Sequence, residues 1–250
     1  MTLPYTDWPT PNQDERPRPA EGIDVLVLHY TGMATAREAL ERMRDPALKV
    51  SAHWCIDEDG RIYRLVPEAM RAWHAGLSNW RQRNLVNDVS IGIELVNPGH
   101  EFGYRPFPGR QMDALSALAA NILARHEIPP ANVVGHSDIA PRRKNDPGEL
   151  FDWARLARDG IGLWPQGADE PPNAAPALTK GATGAGVRAF QANLFDFGYG
   201  LWVDGVYGEE SEAVARAFQR HFRQARVDGI ADGATRAILR HLLALAGRPA

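Results

Sequence analysis

The run IDVLVLHY at 23–30 restricts the fold more than any other stretch of the chain. An apolar run of strand length, without polar alternation, is the pattern of a central strand covered on both faces. The residues around it supply the covering elements. TAREALERM carries Thr35 and Glu38 at capping-box spacing and an apolar stripe of Ala39, Leu40 and Met43, which predicts a helix. HWCIDEDGRIYRLV reads as two short strands turning at Asp59 and Gly60. SIGIELV at 90–96 alternates, with Ile91, Ile93 and Leu95 on one face and Gly92 and Glu94 on the other. Residues 111–126 place Leu115, Leu118, Ile122 and Leu123 on one helical face, and Pro129 and Pro130 stop that helix before the short strand NVVGH. Strands alternating with helices predict an α/β domain with a mixed central sheet flanked by helices, its sites at the strand ends.

The stretch PQGADEPPNAAPA at 165–177 holds four prolines and no bulky side chain, and reads as an extended linker between a first domain at 1–164 and a second at 178–250. The second domain repeats internally. DGVYGEESEAVARAF at 204–218 returns as DGIADGATRAILRHL at 228–242, and GVRAFQANLFDFG at 186–198 resembles VARAFQRHF at 214–222. Units of an Asp-Gly turn and an amphipathic helix predict a small all-helical domain, read as a binding or spacing module.

The net charge of −3, with the basic residues scattered, argues against nucleic acid as a partner. The single cysteine, Cys55, excludes an internal disulfide framework and reads as a small core residue in a strand. No apolar run has the length of a membrane span, and the first residues lack a basic start and an apolar h-region, which weakly favours the cytoplasm.

Two histidines, His29 and His136, end predicted strands, and Asp146 follows ten residues after the second. Such a trio would supply three corners of a tetrahedron and leave the fourth to water, the catalytic arrangement of zinc, and two imidazoles with one carboxylate suit that ion better than magnesium or calcium; the alternative is that any two of the eight histidines are satisfied polar residues that never meet. A nucleophilic triad of Ser137, His136 and Asp138 is disfavoured, because three consecutive residues direct their side chains apart. The segment GHSDIAPRRKNDPG at 135–148 is expected to be irregular, with Ser137 and Asp138 as hydrogen-bonding residues and Asp138 a candidate to steady a ligand histidine. Glu94 points either into solvent or into a cleft; its strand has interior character, where an unpaired acid is costly, and a carboxylate in a cleft can accept the proton of a metal-bound water, while Lys144 either supplies the cation that meets a developing alkoxide or is a surface lysine beside Arg142 and Arg143. RAWHAGLSNW at 71–80 presents Trp73, His74 and Trp80 either to a groove for a sugar or peptide or to the core, and His53 reads as a groove or structural residue.

HYTG at 29–32, SAHWCIDEDGRIYRLVPE at 51–68, WHAG at 73–76, SIGIELVNPG at 90–99 and GHSDIAPRRKNDPG at 135–148 together resemble the zinc-dependent N-acetylmuramoyl-L-alanine amidases of the AmpD/AmiD (amidase 2) type. The resemblance covers roughly residues 20–160. It implies zinc held by His29, His136 and Asp146, with Glu94 and Lys144 as the assisting pair, and cleavage of the amide between the lactyl group of N-acetylmuramic acid and L-alanine in peptidoglycan or muropeptides. Tyr30, His53, Trp73, His74 and Asn97 are the expected groove residues. Residues 178–242 resemble a helical peptidoglycan-binding domain, which implies anchoring on the wall and a place in the cell envelope or periplasm; the want of a visible signal segment leaves the cytoplasm open. Removal of 165–250 is expected to abolish affinity for sacculi and to leave hydrolysis of soluble muropeptides largely intact. The competing readings are a peptidoglycan-recognition protein that binds without cleaving, and a structural scaffold with a partner-binding tail.

Overall fold

The central run becomes a strand hydrogen-bonded on both sides. In the computed structural model, which describes residues 3–17, 22–166 and 176–247, the elements follow one another as β1 (Thr6–Asp7), β2 (Gln13–Glu15), β3 (Val25–Tyr30), α1 (Ala36–Arg44), β4 (Trp54–Ile56), β5 (Ile62–Arg64), β6 (Met70–Ala72), β7 (Ser90–Leu95), α2 (Gly99–Phe102), α3 (Gly109–Arg125), β8 (Val133–Gly135), α4 (His136–Ile139) and α5 (Trp153–Arg158). Three helices complete the chain: α6 (Ala185–Phe197), α7 (Glu209–Phe222) and α8 (Gly233–Leu245). The main sheet has the order β1-β5-β4-β7-β3-β8, with β3 parallel to both β7 and β8 and only the β4–β5 hairpin antiparallel. The expected α/β class with a mixed sheet and a helical C-terminal region is therefore the observed one. Much of the proline-rich segment, 167–175, lies outside the described residues.

The two faces of the sheet go to different partners. Leu26 and Leu28 of β3 and Ile91, Ile93 and Leu95 of β7 pack against Met112, Leu115, Leu118 and Ile122 of α3. Val25 and Val27 point the other way, into a core shared with Trp80, Val134, Ile139 and the three C-terminal helices. The β3–β7 register pairs Val27 with Gly92 and His29 with Glu94, so the polar pair emerges on this second face, at the end of the strands. The expected capping box opens α1: Thr35 Oγ1 accepts from Glu38 N–H, and Glu38 accepts from Thr35 N–H, both at 3.2 Å.

The repeat in the C-terminal unit has a physical basis in glutamine. Gln191 of α6 receives Gly205 N–H on Oε1 at 2.7 Å and donates from Nε2 to Asp204 and to Val206 O. Gln219 of α7 does the same one unit later, receiving Gly229 N–H at 2.7 Å and donating to Asp228 and Ile230 O. Each buried glutamine thus locks the Asp-Gly turn that leads into the next helix. Gly205 and Gly229 both adopt positive φ (80° and 74°), which explains the glycine in each turn.

These helices are not a separate body hung on a tether. Trp80 packs edge-on against Phe197 and Tyr199, and a Cβ on Gly198 would lie 2.8 Å from the Trp80 ring. Asp138, fully buried, accepts from Gly135 N–H (2.7 Å), Tyr199 O–H (2.6 Å) and His221 Nδ1 (2.7 Å). Trp153 stacks on the His221 ring at 3.7 Å. Asp138 therefore does not touch a ligand histidine; it is the point where both units meet. Of the two readings open for Trp80, groove or core, the structure takes the core, buried in this junction. Residues 136–139 also depart from the irregular loop expected there, forming the single helical turn α4, in which Asp138 satisfies the Gly135 amide.

Candidate metal centre

Among the described residues, His29, His136 and Asp146 form a buried trio whose ligand atoms converge. His29 Nδ1 lies 3.0 Å from His136 Nδ1 and 3.1 Å from Asp146 Oδ2, and His136 Nδ1 lies 3.0 Å from the same oxygen. Three ligands at about 2.0–2.1 Å from one tetrahedral ion stand about 3.3 Å apart. The triangle is close to that size. Lone pairs on two nitrogens and a carboxylate oxygen repel at this separation, and a cation among them turns the repulsion into attraction.

The second nitrogen of each ring decides whether the first can be a ligand. His136 Nε2 faces Ala75 O at 3.1 Å; a carbonyl only accepts, so the proton sits on Nε2 and Nδ1 keeps its lone pair. For His29 the same result follows from a longer chain. Ser90 donates its hydroxyl to Val86 O at 2.6 Å, so Ser90 Oγ accepts from His74 Nε2 at 3.2 Å. His74 Nδ1 is then an acceptor, so His29 Nε2 keeps its proton and donates to it at 3.1 Å, which leaves His29 Nδ1 with a free lone pair toward the trio. A Cβ at position 92 would come within 2.5 Å of the His74 ring, so Gly92 is what allows that ring to lie behind His29.

Electrostatics agree with this assignment. Burial, then the His136 ring beside it, lowers His29 to about 4, and His74 is driven well below its usual value, first by burial and then by its histidine neighbours. Burial alone would raise Asp146, but the two imidazoles hold its carboxyl well below the usual carboxylate range. Glu94, beside His29 in the sheet, is the opposite case: burial, then the charge of Asp146, raises it well above the ordinary value while Lys144 opposes the rise. Its Oε2 is buried without a hydrogen-bond partner. A buried acceptor left unmade is expensive, and this one belongs to the residue paired with His29 across β3 and β7.

The expected groove residues fare unevenly. His53 lines no groove: it is buried, accepts Gly92 N–H on Nδ1 at 3.0 Å and turns Nε2 toward Met70 O, tying β7 to the preceding segment. His74 is the buried partner of His29. Asn97 is buried in a loop, donating to Arg105 O and accepting from Gly99 N–H. Trp73 is half-buried and donates from Nε1 to Asp14. Only Tyr30 stands at an open edge, its hydroxyl 2.9 Å from His100 Nδ1. Sequence reasoning overlooked Ser90, Tyr199 and His221, whose roles depend on neighbours 16, 61 and 83 residues away.

Comparison with known proteins places this geometry. The N-acetylmuramoyl-L-alanine amidase family matches residues 18–149, and a peptidoglycan-binding domain family matches residues 183–239. The chain is 40% identical to the N-acetylmuramoyl-L-alanine amidase AmiD of Escherichia coli over 233 residues, 88% of this chain and 82% of that one. It is 36% identical to the 1,6-anhydro-N-acetylmuramyl-L-alanine amidase AmpD of Haemophilus influenzae over 58% of this chain and 86% of that one. The structure of E. coli AmiD in complex with anhydro-N-acetylmuramic acid-L-Ala-D-γ-Glu-L-Lys superposes with a TM-score of 0.78 at 39% identity, covering 91% of each chain. AMPDH3 of Pseudomonas aeruginosa in complex with an anhydromuramic pentapeptide gives 0.77 at 34% identity over the whole of both chains. A match across more than half of the sequence, with AmiD aligned through both the sheet and the C-terminal helices, leaves one conclusion: the chain belongs to the N-acetylmuramoyl-L-alanine amidase family.

Proposed function

We propose that the protein hydrolyses the amide between the lactyl group of N-acetylmuramic acid and L-alanine, in peptidoglycan or muropeptides, with a zinc ion held by His29, His136 and Asp146. The observation that carries this reading is Glu94: a half-buried side chain whose Oε2 is buried and unpartnered, placed by sheet register next to His29. A binding protein gains nothing from that costly group, whereas hydrolysis needs a base at that point. When bound, an ion of this kind acidifies water and polarises an amide carbonyl. Glu94 takes the proton of the attacking water on its carboxylate and returns it to the departing alanine nitrogen. Lys144, whose charge acts on both Glu94 and His29, faces the oxygen on which negative charge develops. Wall turnover or recycling on the envelope side is the process this activity serves, with the helical unit binding peptidoglycan.

Mass analysis of muropeptides digested by the zinc-loaded protein tests the reading, since it reports which bond breaks. Glu94→Gln should keep its zinc and lose turnover by roughly 10²–10⁴. Intact muropeptides after prolonged incubation with the wild-type protein, or an unchanged rate in the variant, would remove the assignment.

A further inference from the structure

A cavity of about 400 Å³ opens between the loop 141–145 and helix α7, lined by Arg142, Asn145, Glu209, Glu212, Arg216 and Arg220 among others. Asn145 stands between Lys144 and Asp146 in the chain, so the loop that lines the cavity also carries a member of the candidate metal trio. Its charges are unequally spent. Glu209 is held by Lys180 at 3.1 Å and Glu212 by Arg216 at 2.8 Å. Arg142 is exposed and hydrogen-bonds nothing among the described residues. Arg220 is largely buried, its Nε has no hydrogen-bond partner, and its nearest carboxylate is Glu149 Oε2 at 3.8 Å. Both oxygens of Glu149 are already 3.2 Å from His100 Nε2. Of the two guanidinium groups bordering the cavity, Arg142 has no ion-pair partner among the described residues and Arg220 has only a long pair with a carboxylate shared with His100, a costly arrangement for a largely buried cation unless a further anion completes it.

We propose that this cavity is a carboxylate subsite for the stem peptide, with Arg220 and Arg142 as its cations. The proposal rests on the amidase reading given above. A peptide that begins at the scissile amide and continues through a γ-linked glutamate keeps that residue's α-carboxylate unblocked close to the reacting carbonyl, and its last residue carries another. Charge and position both fit such a group: a planar guanidinium donates paired hydrogen bonds to a carboxylate. The helical unit, by supplying Arg220, becomes part of the substrate site as well as a wall-binding element.

The test compares zinc-loaded full-length protein on two soluble muramyl tripeptides, one with free carboxylates and one with the same carboxyls amidated. Wild type must cleave the first; failure to cleave either substrate defeats the amidase reading and this proposal with it. Arg220→Gln should raise KM for the free acid roughly 10- to 100-fold at little-changed kcat, and leave KM for the amidated substrate within about threefold. Arg142→Gln, an exposed position where folding is not at stake, should act in the same direction and more weakly, and Arg220→Lys should restore part of the loss. Equal losses on both substrates, or none on either in both glutamine variants, would overturn the subsite.

Discussion

His74→Ala removes the group that accepts the His29 Nε2 proton, and the structure sets the size of the consequence. Left with a buried donor and no partner, His29 pays about 1–3 kcal/mol, or escapes by moving the proton to Nδ1, which destroys the ligand lone pair. Either route weakens the metal. Loss of such an outer partner lowers affinity about 10- to 100-fold, equivalent to about 1.4–2.7 kcal/mol. Competition of the apo protein against a chromophoric zinc chelator measures this directly and needs no substrate. Gly92→Ala supplies an independent arm: its methyl would meet the His74 ring at 2.5 Å, so it should reproduce the weakened binding with His74 still present. Ser90→Ala, which only frees His74 to choose its tautomer, should cost less than either. A His74→Ala protein that binds zinc within twofold of a stoichiometrically binding wild type would refute the relay from Val86 through Ser90 and His74 to His29.

Ending the chain at residue 166 should expose Trp80 and strip Asp138 of Tyr199 and His221, so the fragment should aggregate; a monomeric fragment on gel filtration that hydrolyses soluble muropeptides at the full rate would restore the detachable-anchor picture. Tyr199→Phe removes one hydrogen bond to the Asp138 carboxylate, which predicts a loss of about 1.5–3 kcal/mol and a Tm about 3–12 °C lower, read by calorimetry; an unchanged Tm contradicts the junction. His53, lowered to about 3 by burial and then by the Arg16 charge, stays neutral in the folded protein while the unfolded chain takes its proton near 6.5. The unfolded state therefore binds more protons between these values, and stability falls as pH drops through that window by up to about 1.4 kcal/mol per unit. Urea titrations of chelator-treated protein should show a shallower pH slope for His53→Asn than for wild type, and parallel slopes would count against it.

Local patterns carried most of the fold. The unbroken apolar run of β3, the alternation of β7 and the capping box of α1 each declare themselves within one window, and the hairpin at Gly60 does so through its turn chemistry. The trio was legible because imidazoles at two strand ends and a later aspartate are residue types with few structural uses in such company. What stayed hidden was the environment of those residues. His74 and His53 look alike in sequence, polar rings beside tryptophan, and only the register of β7 with Gly92 at its centre puts both behind the sheet instead of in a groove. Asp138 misled for the same reason: two residues from His136, it points toward a helix that the chain reaches some 80 residues later.

The glutamine latch also gives the helical repeat a direction. Aligning RAFQRHF of α7 with RAILRHL of α8 sets Leu239 where Gln219 stands, and Leu239 is wholly buried. Having no amide there, α8 cannot clasp a turn beyond itself, so it closes the series while α6 and α7 propagate it. Lengthening the array by design would succeed by duplicating a latch-bearing unit upstream of α8, and appending a copy downstream would leave the new turn unfastened.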